Sequence, residues 1–206
     1  IFTQIGTDTD WINAVGASTN SFFIKSTGQL FSTGINDNGQ LGLGDNTNRN
    51  TITQVGVATD WDSISSYNNT ILAIRNNGEL WGWGGNNLGN LGIDGDTINK
   101  TSPTRIGTDV DWLDAFGGSN FSVATKDSTN YYAWGENSAG QLGQGDNIDD
   151  YSIHLVSSVP NVLNINSIVD NIGYIADTVS SAKFSLDINT SYNTNIVLNT
   201  NNFNII

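Results

Sequence analysis

The 206-residue chain sets 20 acidic against 7 basic side chains, a net charge of −13, and contains neither cysteine nor methionine. That balance disfavours nucleic acid and anionic membrane surfaces, because Lys25, Arg49, Arg75, Lys100, Arg105, Lys126 and Lys183 are scattered along the chain and form no basic stripe. Disulfides and thiolate metal sites are excluded, and no apolar run approaches the roughly 20 residues of a membrane-spanning helix.

Asparagine occurs 30 times and charged residues make up only 13%. Such a surface is hydrated by amides and hydroxyls, a composition expected of a secreted, cell-surface or virus-particle protein. The absence of methionine from a chain beginning at Ile1 leads to the expectation of a processed product or a portion of a longer protein.

Read in chain order, the sequence restates itself. The first unit runs from "FTQIG" at Phe2 through "TDTDWINAVGAS" at Thr7 to "FSTGINDNGQLG", Phe31 to Gly42. The second runs from "ITQVG" at Ile52 through "VATDWDSISSY" at Val57 to "WGWGGNNLGNLG", Trp81 to Gly92. The third has "PTRIG" at Pro103, "TDVDWLDAFGGS" at Thr108 and "YAWGENSAGQLG", Tyr132 to Gly143. Trp11, Trp61 and Trp112 follow one another at spacings of 50 and 51 residues. The copies cover about 5–54, 55–105 and 106–156, a period typical of units that bury their apolar faces on neighbours.

Within each copy, short apolar runs such as Phe22 to Ile24 and Ile71 to Ile74 alternate with Gly, Asn and Asp turns, and "STGQ" and "NNGE" mark hairpins at Gly28 and Gly78. Four strands per copy make one small antiparallel sheet. The expected fold is all-β, with β-propeller blades of four-stranded antiparallel sheets in an incomplete ring; a stacked solenoid of sheets is the alternative that the spacing also permits.

The expected core comprises Trp11, Trp61 and Trp112 between blades, with Trp83 and Trp134 from the aromatic strands. Gly34, Gly84 and Gly135 end those strands where the backbone turns sharply. Leu41, Leu91 and Leu142 plug the long loops into the core. Between the recurring glycines, Asp37, Asn38, Asn86, Asn87, Glu136 and Asn137 are the candidate partner-contact positions, with solvated turns as the competing reading.

Chemistry is sparse. His154 is the single histidine, so no histidine metal cluster exists, and no nucleophile, base and orienting group gather near it in sequence. Asp45, Asp96 and Asp146 follow the glycine loops; aspartates in tight turns cap their own backbone, and calcium ligation is the second reading. Carboxylate pairs such as Asp94 with Asp96, or Asp149 with Asp150, carry no evidence of the separation that glycoside hydrolysis needs. Asn68, Asn99, Asn120 and Asn189 fit the glycosylation acceptor pattern. No cofactor and no enzymatic activity are expected.

The units "GQLFSTGINDNGQLGLG" from Gly28, "GELWGWGGNNLGNLG" from Gly78 and "YYAWGENSAGQLGQG" from Tyr131 resemble the regulator of chromosome condensation repeat family. The resemblance implies a propeller, seven-bladed in most members, whose loops bind macromolecules. Its founding member exchanges nucleotide on a small GTPase and binds nucleosomes. Residues 157–206 depart from the pattern: "NINSIVDNIGYIAD" from Asn164 lies over "WLDAFGGSNFSVAT" without its tryptophan, and this segment reads as a degenerate fourth blade or adjoining β segment.

The expectation is therefore a structural or recognition module of a cell surface, appendage or virion. It binds protein or glycan through blade loops, and it self-associates or continues in a longer parent chain. An intracellular propeller regulating a small GTPase is the alternative.

Overall fold

The computed structural model of the chain describes residues 7–128 and 130–156. These residues form twelve strands and no helix. The first sheet contains β1 (Trp11–Gly16), β2 (Asn20–Lys25), β3 (Leu30–Gly34) and β4 (Arg49–Gln54). The second contains β5 (Trp61–Tyr67), β6 (Thr70–Arg75), β7 (Leu80–Gly84) and β8 (Lys100–Arg105), and the third β9 (Asp114–Gly117), β10 (Phe121–Thr125), β11 (Tyr131–Gly135) and β12 (Asp150–Val156). Each sheet is an antiparallel meander in sequence order. The segment 157–206, read from sequence as a fourth blade or adjoining β segment, lies outside the described residues.

The strands alternate because their side chains must serve two faces. In β2 the buried positions are Asn20, Phe22 and Ile24, while β6 is buried from Thr70 to Ile74 because the second sheet is covered on both sides. Near the end of β3, β7 and β11 the register slips by two residues beside Gly34, Gly84 and Gly135, which all have positive φ. At Gly84 a Cβ would lie 1.9 Å from the carbonyl oxygen of Asn69, so no side chain fits.

Two apolar clusters join the three sheets. Phe22, Ile24 and Leu30 of the first sheet meet Trp61, Ile64 and Trp83 of the second. Leu72, Ile74 and Leu80 of the second meet Trp112, Ala115 and Trp134 of the third. The long loop of each sheet then crosses to the next. Trp83 Nε1 donates to the Gln40 carbonyl at 3.0 Å, and Trp134 Nε1 to the Asn90 carbonyl at 2.8 Å. Both indoles lie against glycine, for a Cβ on Gly42 or on Gly92 would stand 2.8 Å from the indole nitrogen. Main-chain bonds Gly44 N to Thr101 O and Gly95 N to Tyr151 O complete each crossing.

Trp61 and Trp112 are 2% and 3% exposed. Trp11, placed in the inter-blade core by its spacing, is only half-buried, which corrects that expectation. No sheet precedes it among the described residues, so its ring packs within its own blade, on Phe23 and Phe31 at 5.7 and 5.2 Å between centroids.

Trp83→Ala should therefore lower stability by roughly 3–5 kcal/mol, the usual cost of emptying a tryptophan site in a core. Trp11→Ala should cost clearly less. Equilibrium urea unfolding of both variants checks this; equal losses would contradict the packing.

Candidate functional site

The long loops that leave β3, β7 and β11 are each folded around one buried asparagine: Asn36, Asn86 or Asn137, all 0% exposed. The three sites share one bonding scheme. The main-chain N–H donates to Asn48 Oδ1, Asn99 Oδ1 or Asp149 Oδ1 at 2.7 to 2.9 Å. The side-chain Nδ2 donates to the carbonyl of Asp45, Asp96 or Asp146. Oδ1 accepts from the N–H of Leu41, Leu91 or Leu142 at 2.8 to 2.9 Å. The bonded leucines lie buried in the blade edge.

Asn86 and Asn137 were expected at partner-contact positions. Their burial and complete bonding correct this: their polar atoms are spent inside the loop. Asp37 and Asn87 are exposed, while Asn38 and Glu136 are half-buried. Asn38 Oδ1 accepts from Asn99 Nδ2 at 3.0 Å. Hydrogen bonds from Asn120 and then Ser138 hold the Glu136 carboxyl below the usual glutamate range.

The calcium candidates serve the same loops. Asp45 pairs with Arg49 at 2.6 Å, and Asp96 pairs with Lys100. The Arg49 bond, aided by the Thr47 N–H, pulls the Asp45 carboxyl below its ordinary value; Lys100 and the Ile98 N–H do the same for Asp96. Asp146 accepts from Asn137 Nδ2 and Ile148 N. Among the described residues no group of three or more His, Cys, Asp or Glu is placed to hold a metal ion, and the bonds just given cap the turns that carry these carboxylates. His154 is exposed and bonds Asp150, and Asp149 is committed to the Asn137 N–H.

At the opposite end of the sheets stands a device that the sequence reading missed. Lys25 lies over Trp11 at 4.9 Å and Phe31 at 5.6 Å, Arg75 over Trp61 at 4.7 Å and Trp81 at 3.9 Å, and Lys126 over Trp112 at 4.6 Å and Tyr132 at 5.3 Å. Carboxylates hold each cation: Asp8 and Asp10 on Lys25, Asp60 on Arg75, Asp109 and Asp111 on Lys126. Burial pulls the Lys126 pKa down, but its two aspartates outweigh burial and raise it; Lys25 is raised chiefly by Asp8. The signal was present, since Lys25, Arg75 and Lys126 keep the 50- and 51-residue spacing of the tryptophans.

On the long-loop end, a pocket of about 120 Å³ opens between the Asn68–Asn69 turn joining β5 to β6 and the Ser119–Asn120 turn joining β9 to β10. Asn38 reaches it from the first blade, and Asn87 and Asn90 from the second. Its lining is amide, hydroxyl and glycine throughout. Asn68 holds a left-handed φ of 50°, a conformation asparagine tolerates better than most residues. A larger hollow of about 510 Å³ at the other end takes in Trp112, Lys126, Val110 and Leu113.

Four-stranded meanders repeated in sequence and packed face to face through inter-blade tryptophans define a β-propeller repeat protein. Residues 77–125 and residues 61–90 match models of the regulator of chromosome condensation (RCC1) repeat, so the chain carries repeats of that type on β-propeller blades.

Among solved structures, human WBSCR16 matches with a TM-score of 0.65 at 21% identity, over 73% of this chain and 38% of that one. Prp20p from Saccharomyces cerevisiae matches with a TM-score of 0.66 at 18% identity, over 73% and 39%. Yeast RCC1 (Prp20), in its complex with Kap60, gives 0.64 at 18% identity, over 75% and 38%. The chain thus spans about two fifths of the length of these structures, and at such identities the likeness establishes the fold. No curated protein matches the sequence.

Two outcomes follow from the loop chemistry. Asn86→Ala removes three side-chain bonds and strands the Leu91 N–H and the Asp96 and Ile98 carbonyls in a buried loop, so stability should fall by about 2–4 kcal/mol; Asn87→Ala, exposed and unbonded, should change it little. The pH dependence has a definite sign. Because Asp45 and Asp96 are depressed, their contribution is present above the ordinary aspartate pKa of about 4 and is lost as pH falls through the folded value. The protection of the Thr47 and Ile98 amides against hydrogen exchange, measured relative to their intrinsic rates, should fall in acid, and Asp96→Asn should abolish that step at Ile98 alone.

Proposed function

We propose that the chain supplies three blades of a non-enzymatic interaction propeller whose partner is a protein. The observation that carries this reading is the triple RCC1-type repeat: its tryptophans, glycines, buried asparagines and ion pairs are absorbed by blade packing, leaving loop tips as the variable surface. The relatives support a protein partner, since Prp20p is described with binding to Gsp1p and histones, and yeast RCC1 in complex with Kap60. These relatives favour the regulator of a small GTPase implied by the resemblance over a cell-surface, appendage or virion component. The latter rests on composition alone, as do a glycan partner and self-assembly.

The net charge of −13 favours a partner with a basic face, because complementary potentials steer encounter and suppress like-charged competitors. A photo-crosslinking residue at Asp37 or Asn87, both exposed loop tips, should capture a discrete protein from the native source. Capture should weaken as salt shortens the screening length. Adducts only to nucleic acid or glycan, or none at either position, would overturn the proposal.

A further inference from the structure

The amide-lined pocket is a feature that the repeat framework does not require. Asn86 has counterparts in Asn36 and Asn137, so the fold needs an asparagine there. Its neighbours are different. Asn69 is matched by Thr19 in the first blade and by Asn120 in the third, Asn87 by Asp37 and Ser138, and Asn90 by Gln40 and Gln141. All three blades nevertheless adopt the same meander. The second blade therefore gathers asparagine at positions where the architecture accepts hydroxyl, carboxylate or a longer amide.

Several of these amides are pinned by one end only. Asn69 Oδ1 accepts from Gln40 Nε2 at 3.2 Å, Asn38 Oδ1 accepts from Asn99 Nδ2 at 3.0 Å, and Asn120 Nδ2 donates to Glu136 at 2.9 Å. Each bond fixes an amide plane and leaves its other half for a ligand: donors on Asn69 and Asn38, an acceptor on Asn120. Orientation has been set before binding, which removes part of the ordering cost. No charged side chain lines the pocket to neutralise an ion, and no aromatic ring offers a platform for a sugar.

Neutral, flat, paired donor and acceptor groups are what a peptide unit presents. A volume of about 120 Å³ equals that of about four water molecules in the liquid, room for a peptide group with its flanking α-carbons. We infer that this pocket binds main-chain peptide groups of the partner, through the side-chain amides of Asn38, Asn69, Asn87 and Asn120. The inference rests on the reading of the chain as a protein-binding module and names where and how the partner is held.

The test uses small probes, so it does not depend on knowing the partner. N-acetylglycylglycine N-methylamide and, separately, maltotriose are titrated into the ¹⁵N-labelled chain while the side-chain amide signals of Asn38 and Asn69 are followed. The peptide probe should shift both signals saturably and maltotriose should not. Asn69→Thr and Asn87→Ser, which install residues that other blades carry, should each weaken the probe about tenfold with the thermal midpoint of Asn87→Ser unchanged. Saturable shifts with maltotriose alone, no saturable shift with either probe, or undiminished binding in both variants would overturn the inference. A crosslinked protein without probe binding would remove the pocket and leave the module; probe binding without any crosslinked protein would remove the module's partner and leave the pocket.

Discussion

Each blade is held to the next by an indole laid against a residue that has no side chain. Trp83 sits against Gly42, Trp134 against Gly92, and both indole N–H groups donate to a carbonyl of the preceding loop. This contact combines a large apolar area with a satisfied buried donor, the two requirements a tryptophan makes of a core. It also dictates the loop: with a Cβ at Gly42 the backbone would have to retreat, the main-chain bond from Gly44 to Thr101 would break, and the next sheet would lose its cover.

Because the loop must be placed to that accuracy, its interior is bonded rather than merely packed. A buried asparagine serves the purpose better than an apolar residue, since it offers both a donor and an acceptor to a chain segment that has left the sheet ladder. The ion pairs of Asp45 with Arg49 and Asp96 with Lys100 close the same loops from outside. In the third blade the residue at that basic position is Asp150, which bonds Gln144 and His154 instead, while Asp146 is held by Asn137 and the Ile148 N–H. An acidic protein can thus employ most of its few cations inside its repeats, which leaves a negative exterior for a partner to meet.

Much of this was legible beforehand. The tryptophan period, the glycines and the three apolar loop leucines marked blades and their order, because such residues recur only where geometry leaves no alternative. The role of Asn86 and Asn137 was not legible: between glycines, a solvated turn amide and a buried loop centre look the same in sequence. Trp11 was misplaced for a related reason. It carries the pattern of Trp61 and Trp112, yet burial depends on what lies across from it. The cations over the tryptophans kept the repeat spacing, but pairing them with rings requires knowing that β1 and β2, or β5 and β6, bring Trp11 beside Lys25 and Trp61 beside Arg75.

By itself the sequence determined the repeat, the all-β class and the scarcity of catalytic chemistry, since period and composition follow directly from residue identity. Only the tertiary structure decided which polar side chains face a ligand. Asn69 and Asn86 lie seventeen residues apart and are chemically identical. One is half-open in a pocket lined by all three blades; the other borders the same pocket but is fully buried, its amide spent on bonds within the loop. The difference arises from bonding partners supplied by distant parts of the chain, Gln40 for Asn69 and Asp96 with Leu91 for Asn86, and no local pattern encodes it.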